Sequence, residues 1–170
     1  MRVLVVYKKS FLESHAADRR VIAQLEPRDR SRLLRADLEN RRALADVTAH
    51  LEKLGVRYDA VFRGSLAERR PYELVVSLGG DGTFFAAARH LRDTPIMGIN
   101  SDPSNSLGLW TAADRKGFRK PLELALAGKL RGTRLWRMRV SLNGKPPEER
   151  VFNDILLSHR NPAEIGRAHV

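Results

Sequence analysis

Short apolar runs and longer apolar stripes alternate along the chain between Arg2 and Asn100. The runs are rich in Val, Leu and Ile and predict strands at residues 2–7, 56–62, 73–78 and 94–100. Between them, apolar residues recur at helical spacing and predict helices at residues 11–25, 31–54 and 83–91. Strands that alternate with helices in this order predict an α/β fold with a Rossmann-like, mainly parallel sheet.

The pattern changes after residue 100. Residues 101–109 are rich in turn-forming side chains, and the apolar spacing beyond them predicts a helix at residues 114–129. Two strands are then predicted at residues 133–142 and 151–158, joined through the hairpin signal Asn143-Gly144. A two-stranded hairpin is only marginally stable by itself, so this β-rich second unit is expected to be incomplete.

The most informative stretch lies between the strand predicted at 73–78 and the helix that follows it. It reads Gly79-Gly80-Asp81-Gly82-Thr83. Glycines permit a sharp turn and a close approach of the backbone to a ligand. The N–H groups that open the helix form an anion site, and Thr83 is predicted to cap the helix. Asp81 then places a carboxylate beside a bound phosphate, where it can handle a hydroxyl proton or a metal ion. The competing interpretation is a glycine-rich turn with a solvated aspartate.

Two further pairs of polar residues lie at the ends of predicted strands. Lys8 and Lys9 follow the first strand directly, and ligands of open α/β sheets bind beyond the carboxyl ends of the strands. These lysines could therefore meet phosphates, or they could form a solvated loop. Asn153-Asp154 lie at the start of the last predicted strand, where an amide and a carboxylate could hold sugar hydroxyls. A turn or a cap is the other interpretation of that pair.

Composition excludes several classes of site. The chain has no cysteine, so it holds neither disulfides nor thiolate metal sites. No apolar run approaches the ~20 residues that a membrane-spanning helix needs. The first strand begins at Arg2 with no leader sequence ahead of it. We therefore expect a cytoplasmic protein that has no membrane partner.

The charge of the chain is strongly positive. The formal charge is +11, and nine basic residues against one acid, Glu123, lie between residues 115 and 139. Such a patch can attract nucleic acid or a polyanionic small molecule. Arginines spread over solvated faces explain the charge equally well. Aromatic residues are too sparse to supply the stacking surfaces of a single-strand binder, so a nucleic-acid partner is not favoured.

Three motifs in sequence order resemble those of the NAD kinase family. They are the stretch Gly79–Thr83, the stretch Gly98-Ile-Asn-Ser-Asp102 leading into Leu107-Gly108, and the pair Asn153-Asp154. The Asn-Ser-Asp-Pro form at residues 100–103 is more similar to the mitochondrial-type branch than to the common bacterial form. The resemblance implies ATP-dependent phosphorylation of the 2′-hydroxyl on the adenosine ribose of NAD, which gives NADP. It also implies Mg²⁺ bridging the donor phosphates and a homo-oligomer in the full-length protein.

The resemblance implies a role for individual residues. Asp81 is the carboxylate that faces the 2′-hydroxyl, and Asn100 borders the dinucleotide. The residues of the phosphate-side loop are Gly79, Gly80, Gly82 and Thr83, and those that hold the ribose hydroxyls of NAD are Asn153 and Asp154. No dedicated metal cage is visible in the sequence, which suits a Mg²⁺ ion held largely by substrate and water.

The last residues depart from the family's pattern. A later segment of Gly-Ser-Thr-Ala-Tyr type is missing, and residues 165–170 match a translation of the sequencing-adapter string ATCGGAAGAGCACACGTCTGA. We therefore expect an α/β domain at 1–100, an incomplete β-rich NAD-binding domain at 101–164, and a non-native tail at 165–170. The chain as written is expected to be a poor kinase, whereas the full gene product is expected to be an active one.

Two alternatives to this function stay open. Diacylglycerol and sphingosine kinases share the motif at residues 79–83, but they usually follow it with an acidic residue and an Asn-Gly pair, which residues 83–88 lack. The second alternative is a basic module that binds nucleotides or nucleic acid through residues 115–139. Such binding would weaken steeply with salt and would survive Asp81→Asn.

Overall fold

The computed structural model describes residues 1–16, 19–66, 71–139, 141, 143–145 and 151. Its contacts divide the chain into two compact units, Met1–Arg134 and Leu135–Val170. The domain boundaries expected after residues 100 and 164 stay predictions. Within the described ranges, no helix combines the length and the apolar character that crossing a membrane requires.

The first unit is built on a five-stranded sheet in which every neighbouring pair of strands is parallel. The strands are β1 (Arg2–Tyr7), β2 (Arg57–Phe62), β3 (Leu74–Leu78), β4 (Ile96–Asn100) and β5 (Ala113–Asp114). Their order across the sheet is β2-β1-β3-β4-β5. The predicted α/β fold and its first four strands are confirmed. The two-residue β5 was not predicted, because an element that short carries no periodicity.

The helices differ more from the prediction than the strands do. They are α1 (Phe11–Ser14), α2 (Arg19–Ala23), α3 (Pro27–Lys53), α4 (Asp81–Ala88) and α5 (Arg119–Leu126), with a short 3₁₀ turn at Arg63–Ser65. The single helix expected at 11–25 is therefore two helices. Helix α3 begins four residues earlier than expected, because proline is tolerated in the first turn of a helix. Helix α5 starts later than expected because the Asp114 carboxylate accepts the N–H groups of Lys116 and Gly117 and forms a turn there.

Both faces of the sheet are covered by helices. Alternate residues of β1 point to opposite faces: Val3 and Val5 pack in the core with α3 and α5, and Leu4 and Val6 pack in the core with α4. Helices α3 and α5, with the Phe118 N-cap of α5, contribute Ala43, Val47, Leu51, Phe118 and Leu122 to the larger core. Burial on both faces explains why β1 and β3 are continuous apolar runs rather than alternating ones.

The strand order sets where a ligand would bind. The chain leaves β1 toward β2 and leaves β3 toward β4, so the direction of winding reverses between the adjacent strands β1 and β3. This is the doubly wound order in which ligands bind beyond the carboxyl ends of the strands, at the switch point. Lys8 follows β1 there, and Gly79 follows β3. The fold therefore brings Lys8 and Gly79, which are 71 positions apart in sequence, to the same end of the sheet.

The second unit is described at few positions. Met138 and Val151 form an antiparallel bridge, in which the Met138 N–H donates to the Val151 carbonyl at 2.9 Å. Asn143 and Gly144 both have positive φ, 51° and 76°, as the tightest hairpin turns require. The strand expected from residue 133 is wrong for residues 133–137, which are not strand in the structure. Residues 152–158 lie outside the described residues.

Candidate active site

The glycine turn between β3 and α4 is required first by the protein's own packing. A Cβ atom on Gly79 would lie 2.3 Å from the Thr83 hydroxyl oxygen, and one on Gly80 would lie 2.4 Å from the Ser106 hydroxyl oxygen. Real Cβ atoms do not approach that closely, so a side chain at Gly79 would force the buried Thr83 to move, and one at Gly80 would force the Ser106 hydroxyl to move. Gly82 differs: it is exposed, and the nearest atom to its Cβ position is an Arg63 guanidinium nitrogen at 3.4 Å. Gly82 is therefore the glycine of the turn at which the backbone stays open to a ligand.

The start of α4 lies two residues earlier than predicted. Gly80 is its N-cap and contributes no side chain, and the prediction that Thr83 caps this helix is wrong. Thr83 lies inside the first turn and is 1% exposed, and its hydroxyl has no hydrogen-bond partner within the described part of the chain. Among the described residues, no backbone carbonyl accepts the N–H groups of Asp81 and Gly82. These donors open the helix toward the crevice, which is the arrangement that attracts an anion.

The Asp81 carboxylate is held by the loop that follows β4. One oxygen accepts the Leu109 N–H at 3.1 Å, and the other accepts the Trp110 N–H at 2.9 Å. The Trp110 ring also stacks on Phe84, with 5.9 Å between ring centroids. Each carboxylate oxygen keeps a further lone pair, so Asp81 can still accept a hydrogen bond from a ligand. This contact could not be predicted from the local sequence pattern, because it joins residues 28 and 29 positions apart.

Asn100 holds the same loop in place through hydrogen bonds of its side-chain amide group. Its side-chain amide donates to the Ser106 carbonyl at 2.8 Å, and its amide oxygen accepts the Asp102 N–H at 3.0 Å. Gly108, at φ 64°, packs so closely that a Cβ would lie 2.5 Å from the Asn100 amide nitrogen. Asn100 is buried, and the loop at residues 101–111 occupies its amide group. Its predicted place beside the dinucleotide stays a prediction.

Two buried polar residues after β4 were not singled out from the sequence as site residues. The Ser101 hydroxyl bonds the Asn40 side chain of α3, and both Asp102 oxygens accept the Asn105 side-chain amide, at 3.0 and 3.1 Å. Asn40 lies on the buried stripe of α3 with Ala43, Val47 and Leu51. A polar residue on an apolar helix stripe was the one signal that could have identified this contact.

Basic side chains lie on the other side of the glycine turn. In the sheet register Tyr7 is paired with both Phe62 and Leu78, so Lys8 is next to Arg63 and Gly79 at the strand ends. Lys8 is half-buried, and its pKa is lowered chiefly by that burial. The Asp102 charge opposes the lowering, and the Arg63 charge adds to it. The Lys9 ammonium lies over the Phe62 ring, 5.0 Å from its centroid.

The structure therefore brings six of the eight predicted site residues to one crevice: Gly79, Gly80, Asp81, Gly82, Thr83 and Asn100. Asn153 and Asp154 lie outside the described residues. Among the described residues, no group of three or more His, Cys, Asp or Glu side chains could hold a metal ion. A cavity of about 390 Å³ lies at the opposite edge of the sheet, lined by Arg2, Val56, Arg57 and Tyr58, and it contains none of the predicted residues.

Comparison with known proteins identifies the family to which the chain belongs. The family described as the ATP-NAD kinase N-terminal domain matches residues 10–129. The chain belongs to the NAD kinase family. The match includes the glycine turn, Asp81 and the loop at residues 101–111, so the family resemblance expected from those motifs is confirmed.

Individual members of the NAD kinase family are similar over most of the chain. A probable NADH kinase of Oryza sativa subsp. japonica is 35% identical over 111 residues, which cover 56% of this chain and 34% of that protein. An NADH kinase of Arabidopsis thaliana is 29% identical over 126 residues, or 64% and 37% of the two chains. A NAD kinase of Geobacter sulfurreducens is 35% identical over 136 residues, or 75% and 45%. The chain thus spans less than half the length of these relatives.

Proposed function

We propose that the protein carrying this chain is a NAD kinase, which transfers a phosphoryl group from ATP to the 2′-hydroxyl on the adenosine ribose of NAD and gives NADP. The observation that carries the proposal is the position of Asp81. Its carboxylate is fixed by two backbone N–H groups in the first turn of α4, where the N–H groups of Asp81 and Gly82 have no backbone acceptor among the described residues. An oriented acceptor for a hydroxyl proton thus lies beside an anion site.

The chemistry assigned to Asp81 is orientation and late proton acceptance. The ribose oxygen attacks the γ-phosphorus, a new P–O bond forms, and the bond to the leaving ADP breaks. The hydroxyl proton passes to Asp81. Because such transition states are loose, a carboxylate acts mainly by holding the hydroxyl in line. The N–H groups that open α4 stabilise the transferring phosphoryl group.

The other proposed roles follow the family resemblance. Gly79, Gly80, Gly82 and Thr83 form the phosphate-side loop, in which Gly79 and Gly80 act by close packing and Gly82 by its openness. Asn153 and Asp154 hold the ribose hydroxyls, and Asn100 shapes the loop beside the dinucleotide.

The remaining proposals concern the metal, the assembly and the acceptor. Mg²⁺ would be held largely by substrate phosphates and water, and it would neutralise charge on the donor. The full-length protein is also proposed to be cytoplasmic and to form a homo-oligomer. Since two similar relatives are named NADH kinases, both NAD and NADH should be offered as acceptors.

The direct test is NADP formation by the protein with its natural downstream sequence, in wild type and in Asp81→Asn. We expect kcat to fall about 100-fold or more, because the amide cannot take the proton. NAD affinity should change by no more than about threefold. The matched control is Asp93→Asn, the same change at an exposed aspartate after α4, which should leave kcat unaltered. A kcat for Asp81→Asn within about tenfold of wild type would contradict the assignment.

The 170-residue chain provides a second test. We expect it to bind nucleotide weakly and to turn over slowly or not at all, because it lacks much of the length of its relatives. NADP formation by the purified chain at the rate of the longer protein would refute this.

A further inference from the structure

Two basic side chains converge on the first turn of α4. Lys8 follows β1 directly, and Arg63, the first residue of the 3₁₀ turn, follows β2, each one residue beyond the paired Tyr7 and Phe62. By the alternation of β1, Lys8 continues the side of Leu4 and Val6, which is the face covered by α4. Arg63 follows Val61 on the same face, and its guanidinium approaches the Cβ position of Gly82 at 3.4 Å. Both cations therefore lie at the open end of α4.

Neither cation is paired among the described residues, although the charge of Asp102 acts on Lys8. Within the part of the chain that the structure describes, Lys8 and Arg63 form no ion pair within 4 Å and no hydrogen bond. Arg2 in β1 is paired with Asp59 at 2.8 Å, and Arg115, which follows β5, is paired with Asp46 at 3.0 Å, whereas Arg57 in β2 forms no ion pair among the described residues. The nearby Asp102 carboxylate already accepts the Asn105 amide with both oxygens.

An arrangement of this kind is unfavourable by itself. Two like charges lie side by side, and Lys8 is half-buried, so it has lost part of its hydration. The pKa of Lys8 is lowered chiefly by this burial; the Asp102 charge opposes the lowering, and the Arg63 charge adds a smaller amount to it. A bound anion would relieve the repulsion and replace the lost hydration, and the open N–H groups at the start of α4 would add donors.

We propose that Lys8 and Arg63 bind oxygen atoms of a nucleotide phosphate chain in front of α4. The inference rests on the function proposed above and adds binding residues to it. It also separates two roles on either side of β3. Asp81 is held on the β4 side by Leu109 and Trp110, and the two cations lie on the β1 and β2 side. The phosphate chain would then approach from one side and the hydroxyl from the other.

The test that is independent of turnover uses inorganic tripolyphosphate as the ligand. Its binding to the 170-residue chain is measured by isothermal titration calorimetry at 150 mM salt, in wild type, Lys8→Met and Arg63→Gln. We expect each substitution to weaken binding about tenfold or more, because hydrogen bonds to charged groups are strong. The matched control is Arg57→Gln, since Arg57 is an exposed arginine at the opposite end of β2 that also forms no ion pair among the described residues. It should change binding by no more than about twofold.

The outcomes separate this inference from the proposed function. If tripolyphosphate binds and the two site substitutions abolish binding while no NADP forms in the longer protein, the anion site stands and the kinase proposal fails. If NADP forms and neither substitution changes tripolyphosphate binding or either KM, the anion site is refuted. An equal loss in all three variants would mean general attraction to a basic protein and would also refute it.

Steady-state kinetics in the longer protein then identify the source of the phosphate. A raised KM for ATP with an unchanged KM for NAD assigns the pair to the donor triphosphate. A raised KM for NAD alone assigns it to the dinucleotide diphosphate. Thermal denaturation of each variant checks the fold, and Lys8→Gln provides a second neutral substitution should Lys8→Met fail to fold.

Discussion

The two sides of the glycine turn are built in opposite ways. On the β4 side, the polar groups of Asp81, Asn100 and Asp102 are engaged by neighbouring backbone or side-chain atoms. On the β1 and β2 side, Lys8 and Arg63 have no ion pair or hydrogen bond among the described residues. The polar groups of the first side have partners before any ligand binds, and the second side is left with charge that a ligand can satisfy. Stability and ligand affinity should therefore respond to different substitutions.

The largest effect is expected from Asn100→Ala, on the satisfied side. The substitution removes the partner of the Ser106 carbonyl and of the Asp102 N–H, so the free energy of unfolding should fall by about 2–3 kcal/mol. Urea denaturation measures it. Ser104→Ala, at an exposed position in the same loop, should stay within about 0.5 kcal/mol of wild type. Equal stability of the two variants would show that Asn100 does not support the loop.

The next comparison lies within the turn itself. Gly79→Ala should lower the free energy of unfolding by about 1–3 kcal/mol, because its Cβ would clash with Thr83. Gly82 lies in helix α4 and has space for a methyl group. Gly82→Ala should therefore leave the free energy of unfolding within about 0.5 kcal/mol of wild type or raise it slightly. Tripolyphosphate binding should nevertheless weaken in Gly82→Ala, since the methyl group enters the open face of α4. If both variants lose stability alike, the distinction between the two glycines is wrong.

The smallest effect is expected from substitution of Lys8, which should raise stability, whereas the substitutions of Asn100 and Gly79 should lower it. The pKa of Lys8 is lower in the folded state than its ordinary value of 10.5. At pH values between the lowered pKa and 10.5, the unfolded chain therefore binds more protons than the folded one. The contribution of Lys8 to the free energy of unfolding therefore increases as the pH rises through this range. Without an anion, Lys8→Met should raise Tm by about 1–3 °C near pH 7, and the gain should shrink toward pH 10.5. Differential scanning calorimetry at several pH values measures it, and a Tm that falls at pH 7 would contradict the expectation.

Much of the fold could be predicted, and the reasons are local. Strands β1 and β3 are continuous apolar runs, and Asn143-Gly144 has the positive φ angles that its sequence requires. The contacts of the site could not be predicted in the same way. Arg63 is one of many arginines, and only the register of β1 with β2 places it beside Lys8. Thr83 fits a cap by type, but the helix begins at Asp81, so its hydroxyl is buried instead.

The contact between Asp81 and the backbone of Leu109 and Trp110 has a consequence for large-scale mutagenesis. A residue that acts only on substrate tolerates replacement in any screen for cellular abundance. Asp81 should not, because substitutions that remove the carboxylate lose at least one of its two accepted hydrogen bonds and loosen a loop against proteolysis. Abundance scores at Asp81 should therefore resemble those of a core position, whereas scores at Lys8 and Arg63 should resemble those of the surface. Only a screen that reads NADP formation would place all three residues in one group.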